Sequence, residues 1–469
     1  MKKSNYLALG LLALTLAMSA CKNEAAATLD QQLRAVIARE NITPIDAGPA
    51  QSAAKVELGQ ALMFDKMLSG NGDISCATCH HPSHALGDGL SVPIGTGGEG
   101  LGDGRALVDG HLIPRNAPEV FNRGSIEWSS MFWDSRVSID PVSGNIRTPA
   151  AMATPPGLDS VLAAQALFPV ASRDEMLGFA DNGSDANDLA ECPDNNFGCV
   201  WNGLVARIGA IPDYVDLFIA AYPAEVSDAG DINITHVVNS IAAFEADAWS
   251  FFDTPWDDFV AGDDEALTDE AKRGALLFFG RARCSVCHRG VLFTDQLHHN
   301  IGVPQIGPGK GDGATINGQT DDFGLAHETG RPQDMYRFRT PPLRNVAATA
   351  PYEHDGAYSS LRDAVRHYDT PQAALDRYSI AQSGDSNIAA LGARDDNDVN
   401  WRQGVLANLD PIFDQPVRLN NRDLDELVAF LASLTSPTLF NLDDTIPASV
   451  PSGCPVDEDS GPCDGSVLD

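Results

Sequence analysis

Two five-residue stretches carry the chemistry of this chain: Cys76-Ala77-Thr78-Cys79-His80 and Cys284-Ser285-Val286-Cys287-His288. Each reads C-x-x-C-H, the spacing of covalent c-type haem attachment. Thiols at i and i+3 share one face of a helical turn, so both can add to the vinyl groups of one porphyrin. The histidine follows on that face and brings its imidazole to the iron. A redox C-x-x-C pair or half a zinc site explains neither the histidine after both pairs nor the doubling, and zinc needs four ligands brought together. The sequence therefore predicts two covalent haems c, one on Cys76, Cys79 and His80, the other on Cys284, Cys287 and His288.

A chain of 469 residues is too long for one small cytochrome and predicts two or three domains. Its 65 acidic and 31 basic residues leave a formal charge of −34, which argues against nucleic acid or an anionic membrane face as partner. A basic protein partner and a surface adapted to solubility or salt both fit that charge. Lys2 and Lys3 precede an apolar run from Tyr6 to Ala20, too short for a span, so residues 1–20 read as a signal peptide. Met18-Ser19-Ala20-Cys21 resembles a bacterial lipoprotein box, with Cys21 as the lipidated first residue of the mature chain. That reading puts the protein in the periplasm, lipid-anchored to the outer membrane; ordinary cleavage nearby would leave it soluble. Cys192 with Cys199 and Cys454 with Cys463 remain as local pairs, predicted to be disulfides in an oxidising compartment.

The elements that must position the two motifs repeat weakly. Gly59-Gln60-Ala61-Leu62-Met63-Phe64 leads into the first, and Gly274-Ala275-Leu276-Leu277-Phe278-Phe279 into the second. An Asp/Gly-rich break at 227–231 marks the boundary between the halves. The expected organisation is a tether and helix over 21–45, a unit over 46–230, a second unit over 231–440, and an extended tail over 441–469. Apolar periodicity predicts helices over Leu29–Glu40, Leu158–Leu167, Ile234–Phe252, Leu267–Phe279, Leu361–Tyr368 and Asp423–Leu434. Strand patterns are scarce. Residues 85–114 and 296–335 are long Gly/Asp-rich loops of the kind that wrap a cofactor.

Further motifs point to one family. Leu58-Gly59-x-x-Leu62-x-Phe64-Asp65-x-x-Leu68-Ser69-Gly70 resembles the bacterial di-haem cytochrome c peroxidases and the MauG group. So do Arg115-Asn116-Ala117-Pro118, Phe132-Trp133-Asp134-Ser135-Arg136 and Ala166-Leu167-Phe168-Pro169, with Ser135 where the family usually has glycine. In the second half, Pro342-Leu343-Arg344-Asn345-Val346 and Thr349-Ala350-Pro351-Tyr352-x-His354-Asp355-Gly356 match as well. The resemblance covers about residues 50–435. It implies a mostly α fold of two cytochrome c-like domains, each with one covalent haem, and a calcium ion at their junction.

The resemblance also implies roles. His80 would be the proximal ligand of the haem whose far side meets hydrogen peroxide. Glu175, ten residues after Gln165, would be the distal acid–base group, with Pro169 between them. A carboxylate there can take a proton from peroxide and return it to the departing oxygen. Trp133 would lie between the haems and pass electrons. Asn116 and the carbonyls of Thr349 and Pro351 would hold the calcium, an all-oxygen set suited to a hard cation.

The sixth ligand of the second haem separates the sub-families. Cytochrome c peroxidases place a methionine fourteen residues after the histidine of the T-A-P-Y-x-H motif, and MauG proteins a tyrosine; counting from His354 reaches Tyr368. Leu361, Ala364, Val365 and Tyr368 share one helical face, with His367 as the rival ligand about 100° away. A thioether favours ferrous iron and a waiting, reduced haem; a phenolic oxygen favours oxidised iron. His111 or His84 could close the first haem's far side. His81, His236, His298, His299 and His327 read as surface or loop histidines. Three functions follow. A MauG-like enzyme would use hydrogen peroxide to oxidise an aromatic residue of a periplasmic protein. A peroxidase would be fed by a small redox carrier protein. A third possibility is a di-haem electron carrier without peroxide chemistry.

Overall fold

The computed structural model describes residues 27–179, 187–316, 318–391, 399–456 and 461–463. The expected signal peptide and Cys21 lie outside the described residues. The chain is mostly helical, as expected. The helices used below are α1 (Leu29–Arg39), α2 (Ala53–Phe64), α3 (Val161–Ala166), α4 (Phe197–Gly209), α5 (Ile234–Ala248), α6 (Asp269–Phe278), α7 (Leu361–His367) and α8 (Asn421–Ala432). Among the described residues, strands form only four small antiparallel sheets. No helix among them is long and apolar enough to cross a membrane.

Helix ends follow their capping residues. Ser160 caps α3 by accepting from the Ala163 amide, so this helix starts at Val161 and not at Leu158. α5 begins on an Asn233 capping box and stops at Ala248, short of Phe252.

The internal repeat has a steric cause. A Cβ on Gly59 would lie 1.9 Å from the Ser240 carbonyl oxygen, and one on Gly274 would lie 1.8 Å from that of Glu426. Only glycine lets α2 meet α5, and α6 meet α8, at backbone contact. Each crossing seeds a core. Leu58, Leu62, Phe64, Phe244 and Trp249 lie in the first. Trp256, Phe278, Phe293 and Phe430 lie in the second, where the Phe278 and Phe430 rings pack edge-on at 5.1 Å.

The chain ends cross over. α1 precedes the first half in sequence but packs on the second, burying Leu33 and Val36 beside Trp256 and Phe259. Arg34 pairs with Asp264 and Lys272 with Asp30 across this contact. The C-terminal tail instead closes the first half. Leu439, Leu442, Val450 and the Cys454–Cys463 disulfide join the first core. The Cys463 amide donates to Gly72 O at 2.7 Å, and Lys66 Nζ to Gly461 O at 2.8 Å.

A buried ion cluster joins the halves. Arg115 donates to both carboxylate oxygens of Asp322 at 2.6 and 2.9 Å and to Asp134 at 2.5 Å. Burial alone would raise the Asp322 carboxyl, but Arg115 holds it at about 2.

Candidate haem and peroxide site

Cys76–Cys79 form a single helical turn, with Ser75 and Thr78 making its capping box. The His80 amide closes the turn on Cys76 O at 3.1 Å. His80 Nδ1 donates to Leu86 O at 3.3 Å, which leaves Nε2 bare for a metal. Burial lowers this imidazole to about 4, so it is neutral. The second motif repeats the device: Cys284–Val286 is a 3-10 turn, and His288 Nδ1 donates to Phe293 O at 3.0 Å. Burial lowers His288 to about 4 as well. All four motif thiols are free of disulfides.

Each motif lines a large cavity. The first is lined by Cys76, Cys79 and His80 together with Gln165, Pro169 and Glu175. The second is lined by Cys284, Cys287, His288 and Tyr368. Free thiols, a neutral imidazole fixed through its second nitrogen and a mostly apolar wall suit a covalent haem in each.

The part of the first cavity around Glu175 is held in place by the backbone. Glu175 lies in a π-helical turn, Arg173–Leu177, a local form that recurs at functional sites. Gly70 and Gly95 let the backbone under this turn pass closely: their added Cβ atoms would lie 1.8 Å from Leu177 O and Asp174 O. Thr96 N donates to Glu175 O at 2.9 Å, fixing the turn from below. Arg173 holds Gly178 O and Cys192 O, which ties the turn to the Cys192–Cys199 disulfide loop. Burial raises the Glu175 carboxyl above its usual value, against the pull of Arg136, Lys310 and Arg115.

Trp133 lines both cavities, and its indole N–H donates to Asn116 O at 3.0 Å. It sits between two left-handed residues, Phe132 and Ser135, at φ 66° and 55°. The glycine usual at 135 is thus replaced by a serine that adopts the glycine-favoured backbone.

Tyr368 caps α7 at its C-terminal end and lines the second cavity. Burial, helped by Glu353 and the motif thiols, raises its phenol well above the usual value. The rival His367 has both ring nitrogens engaged: Nδ1 with Tyr358 Oη at 2.9 Å and Nε2 with Ile301 O at 2.7 Å. It does not line the cavity. His111 pairs with Asp174 at 3.0 Å, and His84 with the Ser83 hydroxyl at 2.9 Å; neither lines the first cavity.

Asn116, Thr349 and Pro351 border a third, smaller cavity between the other two, together with Asp88 and Glu353. The Asn116 amide nitrogen donates to Leu90 O at 2.9 Å, which leaves its oxygen to face another partner. Asp88 Oδ2 is buried without a partner, and burial pushes Asp88 and Glu353 each up to about 7. Two buried carboxyls lining one cavity with neutral oxygens fit a hard cation.

Several residues here escaped sequence reasoning. Lys310 comes from the loop 296–335 and reaches the first cavity. Glu245, on α5, lines the same cavity with an unpaired oxygen. His299 lines the second cavity, bonded to Asp295 and Asp410. His236, read as a surface or loop residue, is instead buried on α5 against Tyr222.

The family model described as di-haem cytochrome c peroxidase matches residues 53–265. The methylamine utilization protein MauG of Methylorubrum extorquens is 32% identical over 363 residues, 75% of this chain and 80% of that protein. The cytochrome c551 peroxidase of Pseudomonas aeruginosa is 30% identical over 368 residues, 78% of this chain and 85% of that protein. A crystal structure of a MauG-like protein associated with microbial copper homeostasis superposes with a TM-score of 0.55 at 29% identity, covering 87% of this chain and 96% of that one.

Proposed function

This chain belongs to the di-haem cytochrome c peroxidase/MauG family, whose members carry two c-type haems and react with hydrogen peroxide; from that premise we propose that it is a MauG-like enzyme that oxidises an aromatic side chain of a protein partner. The observation that carries the reading is Tyr368, a phenol and not a thioether at the second cavity. When bound, the haems would supply irons that peroxide can oxidise and that then accept electrons one at a time.

The chain's own residues then divide the work. Cys76 and Cys79, and Cys284 and Cys287, would hold the porphyrins, with His80 and His288 on the irons. In the first cavity, Glu175 takes the proton from peroxide and hands it to the outer oxygen, which departs as water. Gln165 orients the peroxide, and Pro169 closes the wall. With His84 and His111 turned elsewhere, that side stays open to peroxide. Trp133 passes electrons between the cavities. Tyr368 would offer the second iron a hard oxygen, which favours the oxidised form.

In the same reading a calcium ion sits among Asn116, Thr349 and Pro351, balanced by Asp88 and Glu353. The protein works in the periplasm on a lipid attached at Cys21; two disulfides agree with an oxidising compartment. Mass spectrometry of the mature N-terminus tests the anchor.

The likeness to the P. aeruginosa enzyme favours a second reading, in which a small redox carrier supplies electrons and peroxide goes to water. Low-temperature EPR of the ferric protein decides between them. A five-coordinate first iron with a His/Tyr second iron supports the MauG-like reading; a His/Met or bis-His signal overturns it.

A further inference from the structure

Next to Tyr368 lies a group of aromatic residues that the peroxide chemistry does not use. His367 and Tyr368 rings are 6.0 Å apart between centroids, His367 and Tyr358 5.6 Å, and Tyr358 and Tyr378 5.6 Å. Tyr358 and His367 are buried, while Tyr378 is partly exposed. Ile301 O can only accept, so the 2.7 Å contact puts a hydrogen on His367 Nε2. A neutral imidazole with Nε2–H has a bare Nδ1, which accepts the Tyr358 hydroxyl at 2.9 Å.

We propose that Tyr358 and His367 form a redox-active pair that takes an oxidising equivalent from the Tyr368 side of the second cavity and delivers it, through Tyr378, to the protein surface. The proposal rests on the reading that peroxide oxidises the haem site. One electron leaves Tyr358 for that oxidised site. The phenolic proton moves along the existing hydrogen bond to His367 Nδ1, leaving a neutral tyrosyl radical and an imidazolium still bonded to Ile301 O. An electron arriving from outside through Tyr378 reduces the radical, and the proton returns to the phenolic oxygen.

The geometry also says where the radical rests. Tyr378 donates to Ala357 O at 3.0 Å, a carbonyl that cannot take up its proton. Oxidation is therefore held on Tyr358, and Tyr378 serves only as a step to solvent. A second tyrosine with a base, Tyr336 on Asp321 at 3.0 Å, lines the same cavity and is the natural control.

The test uses the haem-loaded protein with ring-deuterated tyrosine, frozen after oxidation and examined by EPR. Hydrogen peroxide is one oxidant and a flash-quenched ruthenium polypyridyl complex is the other; haem absorbance is followed in parallel. A tyrosyl signal is expected from both oxidants, forming more slowly in D2O. It should fall by at least about tenfold in Tyr358→Phe and in His367→Gln, and persist in Tyr336→Phe. In Tyr378→Phe it should outlive the wild-type signal by roughly tenfold. A signal that survives Tyr358→Phe and is lost in Tyr336→Phe overturns the proposal. So does a changed haem spectrum with no Tyr358 radical under either oxidant, which leaves the peroxide reading intact. A Tyr358 radical under the ruthenium oxidant alone, with no haem response to peroxide, upholds the pair and overturns the peroxide reading.

Discussion

Replacing Glu175 by glutamine isolates one proton. The amide keeps the volume of the side chain in the cavity that His80 also lines and can still hydrogen-bond, but it cannot shuttle a proton. A positioned acid–base group contributes about 10²–10⁴ in rate, or roughly 3–5 kcal/mol at 1.36 kcal/mol per decade. The assay is stopped-flow absorbance of the ferric holoprotein mixed with hydrogen peroxide, and the rate of the haem spectral change should fall by about 10²–10⁴. The wild-type rate should also rise with pH, because Glu175 must be ionised to accept the proton. Its midpoint should lie above the usual carboxylate range, since burial raises this group. Lys310 and Arg136 oppose that rise, so Lys310→Met should move the midpoint to still higher pH, and Glu175→Gln should abolish the limb. A Gln variant slowed less than about fivefold, or one that keeps the same pH limb, would refute the assignment.

Four further outcomes follow. Tyr368→Met should raise the potential of the second haem in a redox titration and speed turnover with small reduced carriers. Asp322→Asn leaves buried Arg115 with Asp134 alone and should cost up to about 3–5 kcal/mol in denaturant melts. Because Asp322 is held at about 2, below the free value, its contribution is present above about pH 4 and is lost as pH falls toward 2, so the variant should be the less pH-sensitive in that window. Glu245 is raised to about 8 by burial, so the stability linked to it is present below about pH 4 and is lost as pH rises through 8. Glu245→Gln should therefore be more stable than wild type at pH 9, by up to about 5 kcal/mol, and close to wild type at pH 5. Chelation with EGTA should lower the melting temperature more at pH 8 than at pH 6, where Asp88 and Glu353 can take up protons; an equal drop at both would separate them from the cation.

The parts of the site readable from sequence were those fixed by local spacing. The C-x-x-C-H turns need only five consecutive residues, and Tyr368 needed a count of fourteen residues from His354, through a turn and along α7. His367 could be ranked against Tyr368 by helical register, yet what engages both its ring nitrogens, the bonds to Tyr358 and Ile301, is not written in the periodicity. Lys310 arrives on a Gly-rich loop with no repeating pattern, so nothing local announces that it faces Glu175. Glu245 sits on a helix whose apolar residues dominate the reading, although its neighbours turn it into a cavity wall. The glycines at 59 and 274 were visible as a repeat, but their purpose required the facing carbonyls of Ser240 and Glu426. α1 and the tail were readable as elements; which half each would join was not, because that choice is made by contacts hundreds of residues away.

The exchange of chain ends has a consequence for synthesis. The half that leaves the ribosome first contains Glu175, yet its core lacks Leu442, Val450 and the Cys454–Cys463 loop until the final residues appear. The half made later finds its missing helix already waiting. A polypeptide stopped just beyond α8 would thus carry a finished C-terminal unit and a gaping N-terminal one, so damage from late truncation would fall on the part farthest away along the chain. Cutting the protein at 230/231 would part α5 from α2, whose crossing seeds the first core, and would leave each piece without a strap that travels with the other.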